Sequence, residues 1–114
     1  MHELSVAMSL VDIALEEGRR DGGRVRALHL RIGQLVGVMP EILINAFTLA
    51  SHGTDLEGVT LEIEEVPAMV NCPRCGGPRP LISTQAVGCG ECGFPVGDFT
   101  QGREFELAAL EIEG

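Results

Sequence analysis

The sequence predicts an α+β fold: a small three-stranded sheet packed with two helices, plus an inserted four-cysteine, zinc-ribbon-like lobe. Three observations predict it. Apolar residues recur at helical spacing in two segments, three other segments alternate with a period of two, and the only four cysteines fall as two matched pairs. At 114 residues there is room for one modest core and one small accessory lobe.

Leu4, Met8, Val11 and Leu15, joined by Ala7, Leu10 and Ala14, make a stripe wide enough to bury one face of a first helix. Gly18 weakens that helix and Asp21-Gly22-Gly23 ends it. Arg24 to Ile32 then alternates, with Leu28, Leu30 and Ile32 on one face and Val25, Ala27, His29 and Arg31 on the other, as in a half-buried strand. Gly33 to Val38 is a connector. Pro40 suits the first turn of a second helix, where its missing N–H costs nothing, and Glu41 suits the positive end of the dipole. Leu43, Ala46, Phe47 and Ala50 form its expected buried stripe, with Gly53 as the cap.

Val59 to Val66 alternates again, with Leu61 and Ile63 inward and Glu62 and Glu64 outward, until Pro67 breaks the pattern. The chain returns to a strand pattern at Phe105 to Glu113, where the phase slips at Ala108-Ala109 and suggests a bulge. The expected organisation is an α/β domain from residues 1–69 and 97–114, interrupted by a metal-binding domain at 70–96. Pro67-Ala68-Met69 and the stretch from Gly97 to Gly102 read as its two hinges.

The inserted lobe holds Cys72 and Cys75 in CPRCGG, then Cys89 and Cys92 in CGECGF. Two C-x-x-C knuckles, thirteen residues apart, let two tight turns aim four sulfurs at one ion. Gly76 and Gly93 follow the knuckles and can supply the positive φ that turns backbone N–H groups toward sulfur. A tetrahedron of four sulfurs suits both zinc and iron. The opening MHELSVAMSLVDIALEE lacks a basic segment and a small-residue cleavage site, so a cytoplasmic, reducing setting is expected and metal is favoured over disulfides. The lobe has too few large apolar residues to fold without its ion, so binding and folding free energies merge there.

Net charge is −9, which argues against a nucleic-acid partner, because phosphate tracks need clustered Lys and Arg. No apolar run approaches the roughly 20 residues of a membrane span. Ordinary catalysis is not expected either: no isolated cysteine, no His–carboxylate motif at helical spacing and no glycine-rich phosphate loop is present. The glutamates of the strand segments read as solvated faces.

Of three histidines, His29 reads as a surface strand residue and His52 as a complement to the dipole at a helix C-terminus. His2 is different because it adjoins the chain's amine. Its imidazole, its amide nitrogen, the Met1 amine and the nearby Glu3 amide can form fused chelate rings, and nitrogen donors in one plane suit Ni(II) or Cu(II).

The chain resembles the hydrogenase maturation nickel metallochaperones of the HypA/HybF family along essentially its whole length. The likeness is carried by Met1-His2-Glu3-Leu4, by Leu30-Arg31-Ile32-Gly33-Gln34-Leu35-Val36-Gly37-Val38 with Pro40-Glu41, and by Gly53-Thr54. Leu61-Glu62-Ile63-Glu64-Glu65 with Pro67, the two knuckles at their thirteen-residue gap, Gly102-Arg103-Glu104, Leu107 and Glu111-Ile112-Glu113 continue it. The resemblance implies a non-enzymatic carrier that receives Ni(II) and hands it on during [NiFe]-hydrogenase assembly, and in some organisms serves urease. It implies nickel at Met1, His2 and Glu3, and structural Zn(II) at Cys72, Cys75, Cys89 and Cys92. It implies a nickel-binding maturation GTPase and the hydrogenase large subunit as partners, with the chain a monomer or weak homodimer.

Two departures stand out. The second knuckle reads CGEC, where a proline often follows the first cysteine, and no histidine follows His52. In some relatives a zinc-lobe histidine completes the nickel plane; here that ligand falls to backbone, solvent, a partner, or His29 or His52. Two other classes fit the cysteines alone: a rubredoxin-like electron carrier, and a structural zinc-ribbon adaptor that binds protein partners without nickel cargo.

Overall fold

The structure, a computed structural model, describes residues 3–83 and 87–113. Helix α1 (Glu3–Asp21) leads to strand β1 (Arg24–Gly33), one 3-10 turn (Gln34–Val36), helix α2 (Pro40–Ser51) and strand β2 (Thr60–Val66). Strands β3 (Met69–Cys72), β4 (Gly77–Pro80) and β5 (Phe99–Gln101) follow, and β6 (Phe105–Glu113) closes the chain. The α+β class holds. One three-stranded sheet has the order β2-β1-β6, and a second has the order β4-β3-β5.

The chain divides into two compact units. The first comprises residues 1–30, 38–64 and 106–114; the second comprises 31–37 and 65–105. In the first, α1 packs on α2. The face α1 buries is Ala7, Leu10, Val11 and Ala14, while Leu4 and Met8 are 45% and 56% exposed. The stripe is therefore rotated from the one that large side chains suggest. Two small residues, Ala7 and Ala14, and two larger ones, Leu10 and Val11, make up the buried face.

Pro40 occupies the first turn of α2, and Leu43 and Phe47 are buried as expected. Ala46 and Ala50 are only half-buried, and Ser51 takes the next buried position. Its hydroxyl donates to the Thr48 carbonyl at 3.2 Å, so the polar group is satisfied. Gly53 then adopts a φ of 78°, and its N–H donates to Glu57 Oε2 at 2.6 Å.

Strand β1 departs from simple alternation. Val25 and Ala27 are buried, and so are Leu28, Leu30 and Ile32. Two consecutive buried residues, Ala27 and Leu28, shift the phase by one, which places Arg24, Arg26, His29 and Arg31 on the less buried side. The expectation that Val25 and Ala27 face solvent fails for this reason. Strand β6 slips in the same manner, since Leu107, Leu110 and Ile112 are half-buried while both alanines between are exposed.

The second unit is built on β3. It pairs antiparallel with β4, matching Val70 with Arg79 and Cys72 with Gly77, and antiparallel with β5, matching Val70 with Phe99. The stretch from Gly97 to Gly102, read from sequence as a hinge, thus contains a strand. Val70, Ala68, Cys72 and Cys89 are its most buried apolar side chains, each at most 1% exposed.

Candidate metal centre

The two knuckles fold alike. Cys72 ends β3 and Cys75 follows one turn later, with the Cys75 N–H directed at Cys72 Sγ at 3.4 Å. Gly76, at φ 81°, closes the turn by donating its N–H to the Cys72 carbonyl at 2.9 Å. In the second knuckle the Cys92 N–H points at Cys89 Sγ at 3.5 Å, and Gly93, at φ 77°, donates to the Cys89 carbonyl at 2.8 Å. Glycine is required at both positions because a side chain strains a left-handed backbone.

The second knuckle is anchored to the first hairpin. Leu81 and Cys89 form an antiparallel bridge, and Gly90 donates to the Pro80 carbonyl at 2.7 Å. A Cβ at Gly90 would meet that carbonyl oxygen, so the close approach also depends on glycine. Arg79 Nε stands 3.1 Å from Glu91 Oε2, which joins β4 to the knuckle turn. In each knuckle the first cysteine is buried, whereas Cys75 is half-buried and Cys92 exposed.

This folding brings the four sulfurs within 4.8 Å of one another. Cys72 Sγ lies 3.6 Å from Cys92 Sγ, and Cys75 Sγ lies 3.8 Å from Cys89 Sγ. Both are far longer than a disulfide bond of about 2.05 Å, so all four thiols are free. With metal–sulfur bonds of about 2.3 Å, a tetrahedral zinc site has sulfur–sulfur edges of about 3.8 Å. The residues therefore fit a four-thiolate ion.

Electrostatics point the same way. Sulfur neighbours, Cys92 first, together with burial push the Cys75 thiol up to about 12, while the Cys92 N–H draws the Cys89 thiol down to about 6. Four anionic sulfurs this close repel one another. A divalent cation at their centre removes the conflict.

Met1 and His2, where nickel is expected, lie outside the described residues. Glu3 is described: it is half-buried and opens α1, where its carboxylate sits at the positive end of the helix dipole. His52 is at the C-cap of α2, with Nδ1 3.5 Å from Glu57 Oε2.

One grouping was not legible in the sequence. His29 on β1 lies between Glu62 on β2 and Glu111 on β6, with Nε2 2.8 Å from Glu111 Oε2 and Nδ1 3.2 Å from Glu62 Oε2. Alternation turns both glutamates outward, but only the strand order β2-β1-β6 places them on either side of the histidine.

Comparison with known proteins agrees with this architecture. Residues 1–112 match the family model described as hydrogenase/urease nickel incorporation, metallochaperone, hypA. A hydrogenase maturation factor HypA from Roseiflexus sp. is 47% identical, over 99% of this chain and 93% of its own. One from Chloroflexus aurantiacus is 45% identical, over 97% of this chain and 98% of its own. Among solved structures, the solution structure of the Ni metallochaperone HypA from Helicobacter pylori shares the fold with a TM-score of 0.64 and 23% identity, covering 98% of this chain and 97% of that one. A second, a solution structure of HypA protein, gives a TM-score of 0.68 at 22% identity, covering 99% and 97%. With nearly the whole length matched and four cysteine sulfurs drawn together, the chain belongs to the HypA family of hydrogenase/urease nickel-incorporation metallochaperones.

Proposed function

We propose that this chain binds Ni(II) as cargo at its N-terminus, through Met1, His2 and Glu3, and delivers it during maturation of [NiFe]-hydrogenase, with urease as a second target. Zn(II) at Cys72, Cys75, Cys89 and Cys92 is structural and organises the lobe at residues 70–96 into a zinc-binding domain. The partners are a nickel-binding maturation GTPase and the hydrogenase large subunit, in the cytoplasm.

The observation that carries this reading is the family match from residue 1 onward, which includes the terminal Met1-His2-Glu3. Chemistry supports the division of labour. An amine with an ordinary pKa of about 7.7–8.0 deprotonates readily near neutrality, and a planar nitrogen site at a chain end can release its ion. Four thiolates that enclose a tetrahedral ion leave no open position, which suits a structural role. Extending the chain by a few residues before Met1 tests the amine ligand. The extended protein should retain zinc and lose tight Ni(II) binding; normal Ni(II) binding by that form contradicts the terminal site.

A further inference from the structure

The sheet β2-β1-β6 carries a second set of metal-ligating side chains, separate in sequence from both the cysteines and the N-terminus. His29, Glu62 and Glu111 come from three neighbouring strands, and one ligand atom from each lies within 4.8 Å of the others. Carboxylates alone would be a solvated face. Here an imidazole is held between two of them, and every donor is anchored on a strand.

The geometry points to a second cation site, in which His29, Glu62 and Glu111 hold one borderline divalent ion, Ni(II) or Zn(II), with water in the remaining positions. Donor chemistry, geometry and the neighbouring charges favour it. First, one neutral imidazole and two carboxylates offset the charge of a divalent ion, and mixed nitrogen and oxygen donors favour first-row metals over Mg(II) or Ca(II). Second, both ring nitrogens already face carboxylate oxygens, at 2.8 Å and 3.2 Å. An ion that replaces the proton at Nε2 meets Glu111 directly. Glu62, 3.2 Å from Nδ1, then either joins the ion or steadies the ring from its other edge. Third, Arg26 on β1 is taken by Glu113 and not by Glu111, and that contact holds the Glu113 carboxyl below its usual range. Side-chain exposures of 38% for His29, 56% for Glu62 and 60% for Glu111 leave room for water ligands and for exchange.

This site does not depend on the terminal nickel reading, and the test separates them. Zinc-loaded full-length protein carrying His2→Ala is titrated with Ni(II) and, separately, with paramagnetic Co(II), while the His29 ring is followed by NMR. One saturable equivalent is expected, with selective broadening of the His29 ring signals. Adding His29→Gln should weaken that equivalent at least tenfold, and Glu111→Gln should do likewise where the first variant folds poorly. Unchanged affinity in both variants overturns the site, as does the absence of any saturable equivalent in the His2→Ala parent: the trio is then only a set of cross-strand ion pairs. The terminal reading fails by a different sign, namely a wild-type first equivalent that His2→Ala leaves intact.

Discussion

Gly33 and Gly102 face each other so closely that a Cβ on Gly33 would fall on the Gly102 carbonyl group. The same carbonyl accepts the Leu35 N–H at 2.8 Å, and the Gly33 N–H donates to the Glu104 carbonyl at 2.6 Å. Gly102 itself has a φ of 120°, and a Cβ there would meet the backbone of Ala68. Two of the segments that carry the family likeness, one around Gly33 and one at Gly102-Arg103-Glu104, thus meet within the second unit. Their glycines are needed because backbone packs on backbone.

Gly33→Ala is accordingly expected to destabilise the protein by about 1–3 kcal/mol, the usual range for forcing atoms into filled space. Thermal denaturation of the zinc-loaded protein checks this. An unchanged Tm would show that the β1–β6 segment opens without cost.

Glu104 gives a pH dependence. N–H groups, its own first and then that of Gly102, hold its carboxyl below the ordinary value of 4.5, and Gly102 N lies 2.8 Å from Glu104 Oε1. A depressed carboxylate stabilises the fold above the unfolded-state pKa, and that contribution is lost as pH falls through the folded value. Glu104→Gln should therefore be less stable than wild type near neutrality, and the two should converge on acidification below 4.5. Denaturant midpoints measured across that range decide it; a constant gap between the curves contradicts the assignment.

Removing the ion from the four cysteines should unfold the second sheet. Beyond Cys72, Val70 is the one buried apolar side chain on its three strands, and ligand binding supplies the missing stabilisation. A strong chelator, or Cys72→Ser, should collapse the amide signals of β3, β4 and β5 toward random-coil positions. Those of α1 and α2 should persist, because Leu10, Leu43 and Phe47 are buried independently of any metal. Retention of dispersed β3–β5 signals without metal would contradict the structural role.

The knuckles were legible in the sequence because their chemistry is local: a C-x-x-C turn and its following glycine specify where each sulfur points. Pro40 and the C-terminal end of α1 were legible for the same reason. What escaped depended on neighbours. Leu4 and Met8 share helical spacing with Val11, yet the packing of α1 leaves both exposed. The strand Phe99–Gln101 is too short to show a period and exists by pairing with Met69 and Val70. The association of His29 with Glu62 and Glu111 requires the strand order, which alternation within single strands does not contain.

The proposed function divides the metals between two parts of the sequence, four cysteines for the scaffold ion and His2 for the cargo. Titrating Ni(II) into untagged wild type and His2→Ala, with zinc counted in parallel, tests it most directly. One zinc per chain is expected in both proteins, with loss of the tighter Ni(II) equivalent in His2→Ala alone. Equal tight Ni(II) binding by the two proteins would contradict it.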